Sequence, residues 1–415
     1  MFEDLVARAT EETVSNAWGG HFDAGDWDRR IQHLWTARRL VDLVDQFDEV
    51  AAIELQIPES GDGVPDLLDE ALWDIDAYRR LQLPDGAIRG GIESEEHPLA
   101  GTTSWTDPLE LFVYAPDAWS SWIYSWVVAD AAYVLDRYDS ERAAELRDSA
   151  VRAMEWAEAE LEAGRVDLNA DPDLAVQRTN AAASLYRATE DEQWNELFLV
   201  TSPLSDGIEV LQCIHGYACE GAWRYATLPD GLGDDAVRQN AADSIIAAAD
   251  WLLVGAELTA YGWVPESVNG QLFFGGGPSN AHGVGLMYAY LLTGEDRYRD
   301  QVVLNAQFAL GANPAGRTWI TGIGFDSPDR ILGVDQRSGF PVWPGTPLYG
   351  LAPTHTLPEW YLRYFLRGGG ISPDPFDWPY LHGFADLGEY PGQAEFTVHQ
   401  SHGVAIWTFG ALAGT

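Results

Sequence analysis

The chain has 415 residues, beyond the roughly 250–300 at which a single core stops growing, so it holds either two domains or one large toroid or barrel. Its 65 acidic residues face only 24 basic ones, and a net charge of −41 argues against any phosphate-rich partner such as nucleic acid. No stretch approaches the roughly 20 apolar residues of a membrane span, and the acidic start MFEDLVARATEET shows no export signal.

Helical apolar spacing recurs along nearly the whole chain. It predicts helices over 34–44, 64–83, 119–138, 141–161, 171–187, 191–199, 208–227, 234–253, 279–292, 296–310, 357–365 and 396–412. Pro65 sits near a first turn, and Asp234 and Ser279 are placed as caps. Few segments alternate as strands do. No composition shift marks a linker, so one domain over 1–415 is expected. Paired helices around a ring fit this run, whereas an α-solenoid would show a repeated signature, and none is visible. Cys213 and Cys219, six apart on the helix expected over 208–227, would face different directions. They read as unbridged, buried small residues.

Every basic side chain other than His is Arg, and the acids are spread rather than gathered in a tail. Adaptation to high salt, where self-repulsion is screened, explains both features; a GC-rich genome is the plainer account. Three segments break the helical background: 18–30, 94–116 and 311–356, each rich in Trp, Gly, Asp or Pro. Structured loops of this length usually carry function.

In GGHFDAGDWDRR (19–30), Asp23 and Asp26 lie three apart around Gly25, so both can point into one cavity. Like charges held close push one carboxyl upward, which suits one acid to take a proton from water while the other orients that water. Helix capping by Asp26 with an Asx-turn at Asp23 fits the same spacing. Glu395 precedes a C-terminal apolar run. It is either a first-turn acid favoured by the helix dipole or a general acid kept protonated beside Tyr390 and Phe396. His399 and His402 follow, but HQSH is not a zinc signature. Eighteen Trp, many in loops, exceed what a core requires, and their flat rings suit pyranose faces. Trp27, Trp122, Trp319 and Tyr390 are the aromatic candidates for substrate contact. Asp335 and Arg337, in the Gly/Pro-rich RILGVDQRSGFPVWPGTP, are polar ones.

GGHFDAGDWDRR, IPESGDGVPDLLDEALWDIDAYRRLQLPDGAIRGGIES, LGANPAGRTWITGIG and EFTVHQSHG together resemble glycoside hydrolase family 9, and they span nearly the whole chain. The resemblance implies an all-α (α/α)6 barrel of about twelve helices and inverting hydrolysis of β-1,4-glucosidic bonds, with a β-glucan or gluco-oligosaccharide as partner. It also implies a secreted protein. Asp26 matches the family's general base, Asp23 the residue that helps hold the attacking water, and Glu395 the general acid. An inverting pair stands roughly 6.5–9.5 Å apart, which leaves room for that water.

The sequence also departs from the pattern. The usual His-His-Arg segment is SPDRILGVDQR here, leaving Arg337 as the sugar-binding residue with Asp335 beside it. AEFTVHQSH surrounds the acid as in the branch with exo-acting and glucosaminidase-like members, which raises exo-action on short oligosaccharides as the alternative. A calcium-type Asp-Glu pair is replaced by Cys219-Glu220, so no cofactor is expected and calcium is doubtful. The immunoglobulin-like module that often precedes the domain is not in this chain. Two rivals of other classes are a carbohydrate-binding protein on the same fold and another barrel enzyme such as a lyase. Retention of Asp23, Asp26 and Glu395 opposes the first, and the absence of Lys with the charge of −41 opposes the second.

Overall fold

A computed structural model describes residues 9–14, 18–22, 28–96, 98–99, 101–211, 213, 217–264, 283–348, 350, 377, 384, 386 and 398–413. The chain divides into two compact units. The first comprises Met1–His21, Asp28–Glu95 and Glu110–Ala248; the second comprises Phe22–Trp27, Glu96–Leu109 and Ala249–Thr415.

The first unit is built on helices α1 (Leu34–Gln46), α2 (Asp66–Arg79), α3 (Ala118–Leu135), α4 (Ser140–Glu162), α5 (Pro172–Thr189), α6 (Glu192–Thr201) and α7 (Tyr217–Ala226). Its centre is α3, which packs on α1, α2, α4 and α5. The sequence AWSSWIYSWVVADAAYVL carries a single charge, Asp130, and buries its serines as well as its apolar residues, the pattern of a helix with no solvent face. Asp117 caps it, accepting from the Ser120 amide. Helices α4, α5 and α6 are capped in the same way by Asp139, Asp171 and Asp191, so part of the acid surplus serves as helix starts.

A small antiparallel sheet, not expected from the sequence, lies in the same unit. Its strands β1 (Ala9–Thr13), β2 (Arg29–Arg30), β3 (Gly91–Ser94) and β4 (Leu111–Tyr114) are ordered β1-β4-β3-β2. Arg29 pairs with Ile92 and Arg30 with Gly91, so the chain emerging from the DAGD segment enters the sheet at once.

Buried charge ties the helices of this unit together. Arg38 and Arg39 of α1, Arg187 of α5 and Arg224 of α7 meet Asp42 and Asp45 at the end of α1, Asp130 of α3 and Glu220 of α7. Arg224 Nε lies 2.8 Å from Asp130 and its Nη2 3.0 Å from Asp42, while Arg38 Nε lies 3.0 Å from the other Asp130 oxygen. Burial alone would raise Asp42 and Asp45. Arg187 and Arg224 outweigh it at Asp45, holding that carboxyl down at about 2, and Arg38, Arg39 and Arg224 likewise hold Asp42 low.

Helix α8 (Asp235–Glu257) runs from the first unit into the second. The second unit also contains α9 (Val284–Thr293), α10 (Asp296–Ala309), the single turn α11 (Val334–Arg337) and α12 (Val398–Leu412). Helices α9, α10 and α12 pack on one another. The approach of α12 to α9 requires glycine: a Cβ at Gly283 would stand 2.7 Å from Ile406 Cγ2. Trp263, Phe308, Ala309, Trp319, Ile320 and Trp407 form the apolar core there.

Eleven of the twelve expected helices are present with shifted ends, and the twelfth, over 357–365, lies outside the described residues. The helix expected from 208 is corrected: α7 begins only at Tyr217. Cys213 therefore precedes the helix, and its Cα lies 5.4 Å from that of Cys219. The two cysteines form a disulfide rather than the unbridged pair expected from continuous helical spacing.

Removing one member of the buried cluster leaves its partners charged in a dry core, so Asp130→Ala should cost about 3–5 kcal/mol. Equilibrium urea unfolding of the variant beside the parent measures this, and a loss below about 1 kcal/mol would contradict the cluster's structural role.

Candidate active site

The strings GGHFDAGD and ESGDGVPDLLDE meet at one place. In the second, Asp66 at the start of α2 accepts from the Leu55 amide at 2.7 Å and from the Ser60 hydroxyl at 2.5 Å, folding the glycine-rich turn back onto the helix. This sets the face of α2 on which Glu70 and Asp74 stand one turn apart. His21 lies against both. Its Nε2 is 3.0 Å from Glu70 Oε1, its Nδ1 3.6 Å from Asp74 Oδ1, and its amide donates to that Asp74 oxygen at 3.2 Å. Burial alone would lower the imidazole, but hydrogen bonding and charge from Asp74, then from Glu70, outweigh it and hold His21 up at about 10. The residue two positions before Asp23 is thus a fixed cation at neutral pH.

The rest of this entry is fastened as firmly. Gly20 adopts φ +75°, and its amide donates to the Trp73 carbonyl at 3.3 Å. A Cβ there would meet Ala77 Cβ at 3.0 Å, and with the positive φ this makes glycine the residue that lets the chain pass this close to α2. The His21 carbonyl lies 3.1 Å from His33 Nδ1, and the Arg80 guanidinium stacks 3.6 Å from the Trp18 ring centroid while donating to the Trp18 carbonyl.

The exit is anchored too. Asp28 accepts from the Ser94 amide at 2.7 Å and hydroxyl at 2.9 Å. Arg30 Nη1 lies 2.7 Å from Glu93, which also accepts from the Tyr114 hydroxyl at 2.6 Å. Burial would raise Glu93; its hydrogen bonds to Asp28 and Tyr114 and the Arg30 charge hold it low. One bond closes the loop at its neck: Arg29 Nε donates to the Gly19 carbonyl at 2.9 Å.

Among the expected site residues, Asp23, Asp26, Trp27, Tyr390 and Glu395 lie outside the described residues. Trp122 and Trp319 are described, and both are fully buried. Trp122 donates its indole N–H to Glu158 at 3.1 Å, and Trp319 packs against Phe384 in the apolar core. Neither ring offers a face to solvent, because a residue count does not distinguish core Trp from surface Trp. Asp335 spends both oxygens on Ser104, accepting from its amide at 2.7 Å and from its hydroxyl at 2.9 Å. Arg337 is exposed on the turn that bears Asp335. At Cys219-Glu220 the residues do not fit calcium: the sulfur is in the disulfide, and Glu220 is held by Arg39 and Arg38. Sequence reasoning missed His21 as a participant, although the i, i+4 spacing of Glu70 and Asp74 was the signal for two carboxylates on one helical face.

No family model matches the chain. Endoglucanase C of Cellulomonas fimi is 28% identical over 337 residues, covering 74% of this chain and 30% of that protein. The xyloglucan-specific endo-beta-1,4-glucanase BoGH9A of Bacteroides ovatus is 26% identical over 349 residues, covering 76% and 57% respectively. A metagenome-derived glycoside hydrolase family 9 endoglucanase of known structure superposes with a TM-score of 0.81 at 22% identity, covering 96% of this chain and 71% of the other. The chain is thus similar over most of its length to endoglucanases, one of known structure being of glycoside hydrolase family 9. Its fold is accordingly the all-α (α/α)6 class expected from the sequence. The match spans 30% and 57% of the length of the two curated relatives, which are larger proteins. Among the described residues, no helix is long and apolar enough to cross a membrane.

The elevated His21 value makes a signed prediction. Folding gains from the histidinium in full below the ordinary imidazole value of about 6.5, and the gain disappears as pH rises through about 10. An NMR titration of the His21 ring should show an alkaline midpoint in the parent and a lower one in Glu70→Gln. An unchanged midpoint would remove Glu70 from the clamp.

Proposed function

We propose that the chain is the catalytic domain of an inverting hydrolase of β-1,4-glucosidic bonds in cellulose-type glucans. The observation that carries this reading is the double anchoring of the DAGD segment, with entry clamped on α2, exit held in the sheet and the neck closed by Arg29. An acid–base site needs carboxylates held within a fraction of an ångström, and rigid elements on both sides of a short loop supply that. The endoglucanases similar to this chain supply the substrate class.

Glu395 protonates the leaving oxygen, Asp26 takes a proton from water and Asp23 orients that water, so inversion occurs in a single displacement. The fixed histidinium at position 21 is a positive charge two residues from Asp23, which favours the ionised form of a nearby acid. Trp27, Tyr390 and Arg337 contact the sugar. The whole chain acts as one catalytic domain, in longer proteins following an immunoglobulin-like module. A secreted setting is supported by the Cys213–Cys219 disulfide, since such bonds persist in oxidising compartments. The absence of Lys and the charge of −41 support work at high salt. A second reading, exo-action on short oligosaccharides, is favoured by AEFTVHQSH around Glu395 and the missing His-His of the sugar-binding segment.

Asp26→Ala and Glu395→Gln should each reduce hydrolysis of cello-oligosaccharides by about 10²–10⁴-fold with the fold intact. NMR of freshly released sugar should show the α-anomer first; an initial β-anomer would exclude inversion. The product series from cellohexaose separates the two readings, a spread of lengths marking endo-action and a single short product exo-action. Activity should rise with added NaCl, and an optimum at low salt would exclude the halophilic reading.

A further inference from the structure

A group of arginines in the first unit keeps donors that the fold does not use. They line an open pocket of about 420 Å³ with Tyr133 in the last turn of α3, Asp136 and Arg137 just beyond it, Arg147 of α4, and Arg187 and Glu190 at the end of α5. Three cations against two carboxylates reverse the balance of a chain with 24 basic and 65 acidic residues. The pocket is remote from the sheet that anchors the DAGD segment. Ser121, in the first turn of α3, accepts at 3.1 Å from the amide of Ile88, three residues before β3. Tyr133 stands near the other end of this 18-residue helix, which is about 27 Å long.

Asp45 fixes two of the guanidinium groups. Arg187 Nη2 lies 2.8 Å from one of its oxygens, and Arg137 Nη2 pairs with the other. Arg187 also stacks on Tyr133, 3.7 Å from the ring centroid. These contacts leave donors over. Arg187 is 7% exposed, its Nε makes no hydrogen bond, and its Nη1 reaches only Asp130, at 3.8 Å. The buried Nε of Arg147 makes no hydrogen bond either, and among the described residues its guanidinium pairs only with Asp136, at 3.8 Å. The Tyr133 hydroxyl has no hydrogen-bond partner among the described residues. Burial, then the Arg224 charge, lower the Arg187 guanidinium from its ordinary value, so a further negative charge beside it is favoured.

We propose that Tyr133, Arg137, Arg147 and Arg187 bind a compact tetrahedral oxyanion, a phosphate group carried either by the free ion or by a phosphomonoester. The chemistry of the ligand follows from the donors. A planar carboxylate is filled by a single guanidinium fork, whereas three forks and a phenol from three parts of the fold suit an ion with four oxygens in different directions. A polyanion is refused, because Asp136 and Glu190 at the wall and the charge of −41 repel it. The bound ion ties the ends of α3 and α5 to α4.

An ion that binds only the folded chain raises the midpoint of urea unfolding, so the test is that midpoint against inorganic phosphate, with ionic strength held constant by NaCl. The parent should show a rise that saturates. Arg147→Gln removes a charged donor without touching Asp45, and about tenfold more phosphate should be needed for half the effect. Arg165→Gln makes the same change of charge at the exposed Glu160 pair outside the pocket, and the parental response should remain. Tyr133→Phe keeps the stacked ring and should weaken the response about threefold. If Arg147→Gln does not fold, Tyr133→Phe decides alone. Phenyl phosphate acting at the same concentration as phosphate assigns the site to a phosphomonoester, and no response to it assigns the site to the free ion. A rise that does not saturate is the general effect of the salt and overturns the site. An equal response in Arg147→Gln and Arg165→Gln, or the same rise with acetate, also overturns it.

Discussion

The structure of the first unit depends on an exchange of charge in a place without water. Four arginines and four carboxylates from α1, α3, α5 and α7 neutralise one another at depth, and each must keep its partners because a charge left alone there is costly. A guanidinium suits this task because its planar fork serves several carboxylates at once, as Arg224 does for Asp42 and Asp130. An ammonium is a point charge and is more strongly hydrated. The chain's exclusive use of Arg is therefore compatible with its interior. The pairing leaves the acid excess untouched: four cations and four anions cancel at depth, so the net charge of −41 is carried outside the cluster. Glu220 illustrates the substitution, since it is neutralised by Arg39 and Arg38 and needs no metal.

The candidate site repeats this logic at smaller scale. His21 between Glu70 and Asp74, Arg30 against Glu93, and Arg29 on the Gly19 carbonyl fix both ends of a segment whose central residues carry the proposed chemistry. Each anchor is charged on at least one side, and charge-assisted bonds are the ones that lose least when a loop must be held against thermal motion.

How much of this was legible follows from separation along the chain. Helix α3 announces itself through a long, largely apolar run with a single charge, and the α2 turn through closely spaced Gly, Pro and Asp. The sheet escapes detection because its strands are two to five residues long, and one consists of Arg29 and Arg30, whose burial depends on partners far along the chain. Cys213 and Cys219 mislead for a related reason. Helical spacing continues through 208–216 in the sequence, whereas the helix begins at Tyr217 and leaves the earlier cysteine outside it. Trp122 and Trp319 share the composition of the exposed rings and differ only in what surrounds them. Asp335 reads as a sugar ligand until Ser104, 231 residues away, is seen to occupy it.

The proposed substrate, a neutral glucan, sets a problem that an acidic surface cannot solve by attraction. Long-range fields do not steer an uncharged polymer, and at high salt they would be screened within a few ångströms. Capture must then come from short-range contacts made once the chain has arrived, and aromatic faces are the contacts least sensitive to ionic strength, because burial of apolar surface is retained as electrostatic terms fade. A protein under that constraint gains by displaying rings at its surface and holding them with hydrogen bonds shielded from bulk solvent. The Ser104–Asp335 clamp under Trp105 and Phe340 has this form, with a half-buried acid bound by two short neutral donors and the rings outside it. On the high-salt reading proposed above, the extreme acidity and the exposed aromatics, which look like opposed tendencies in the composition, answer to one environment.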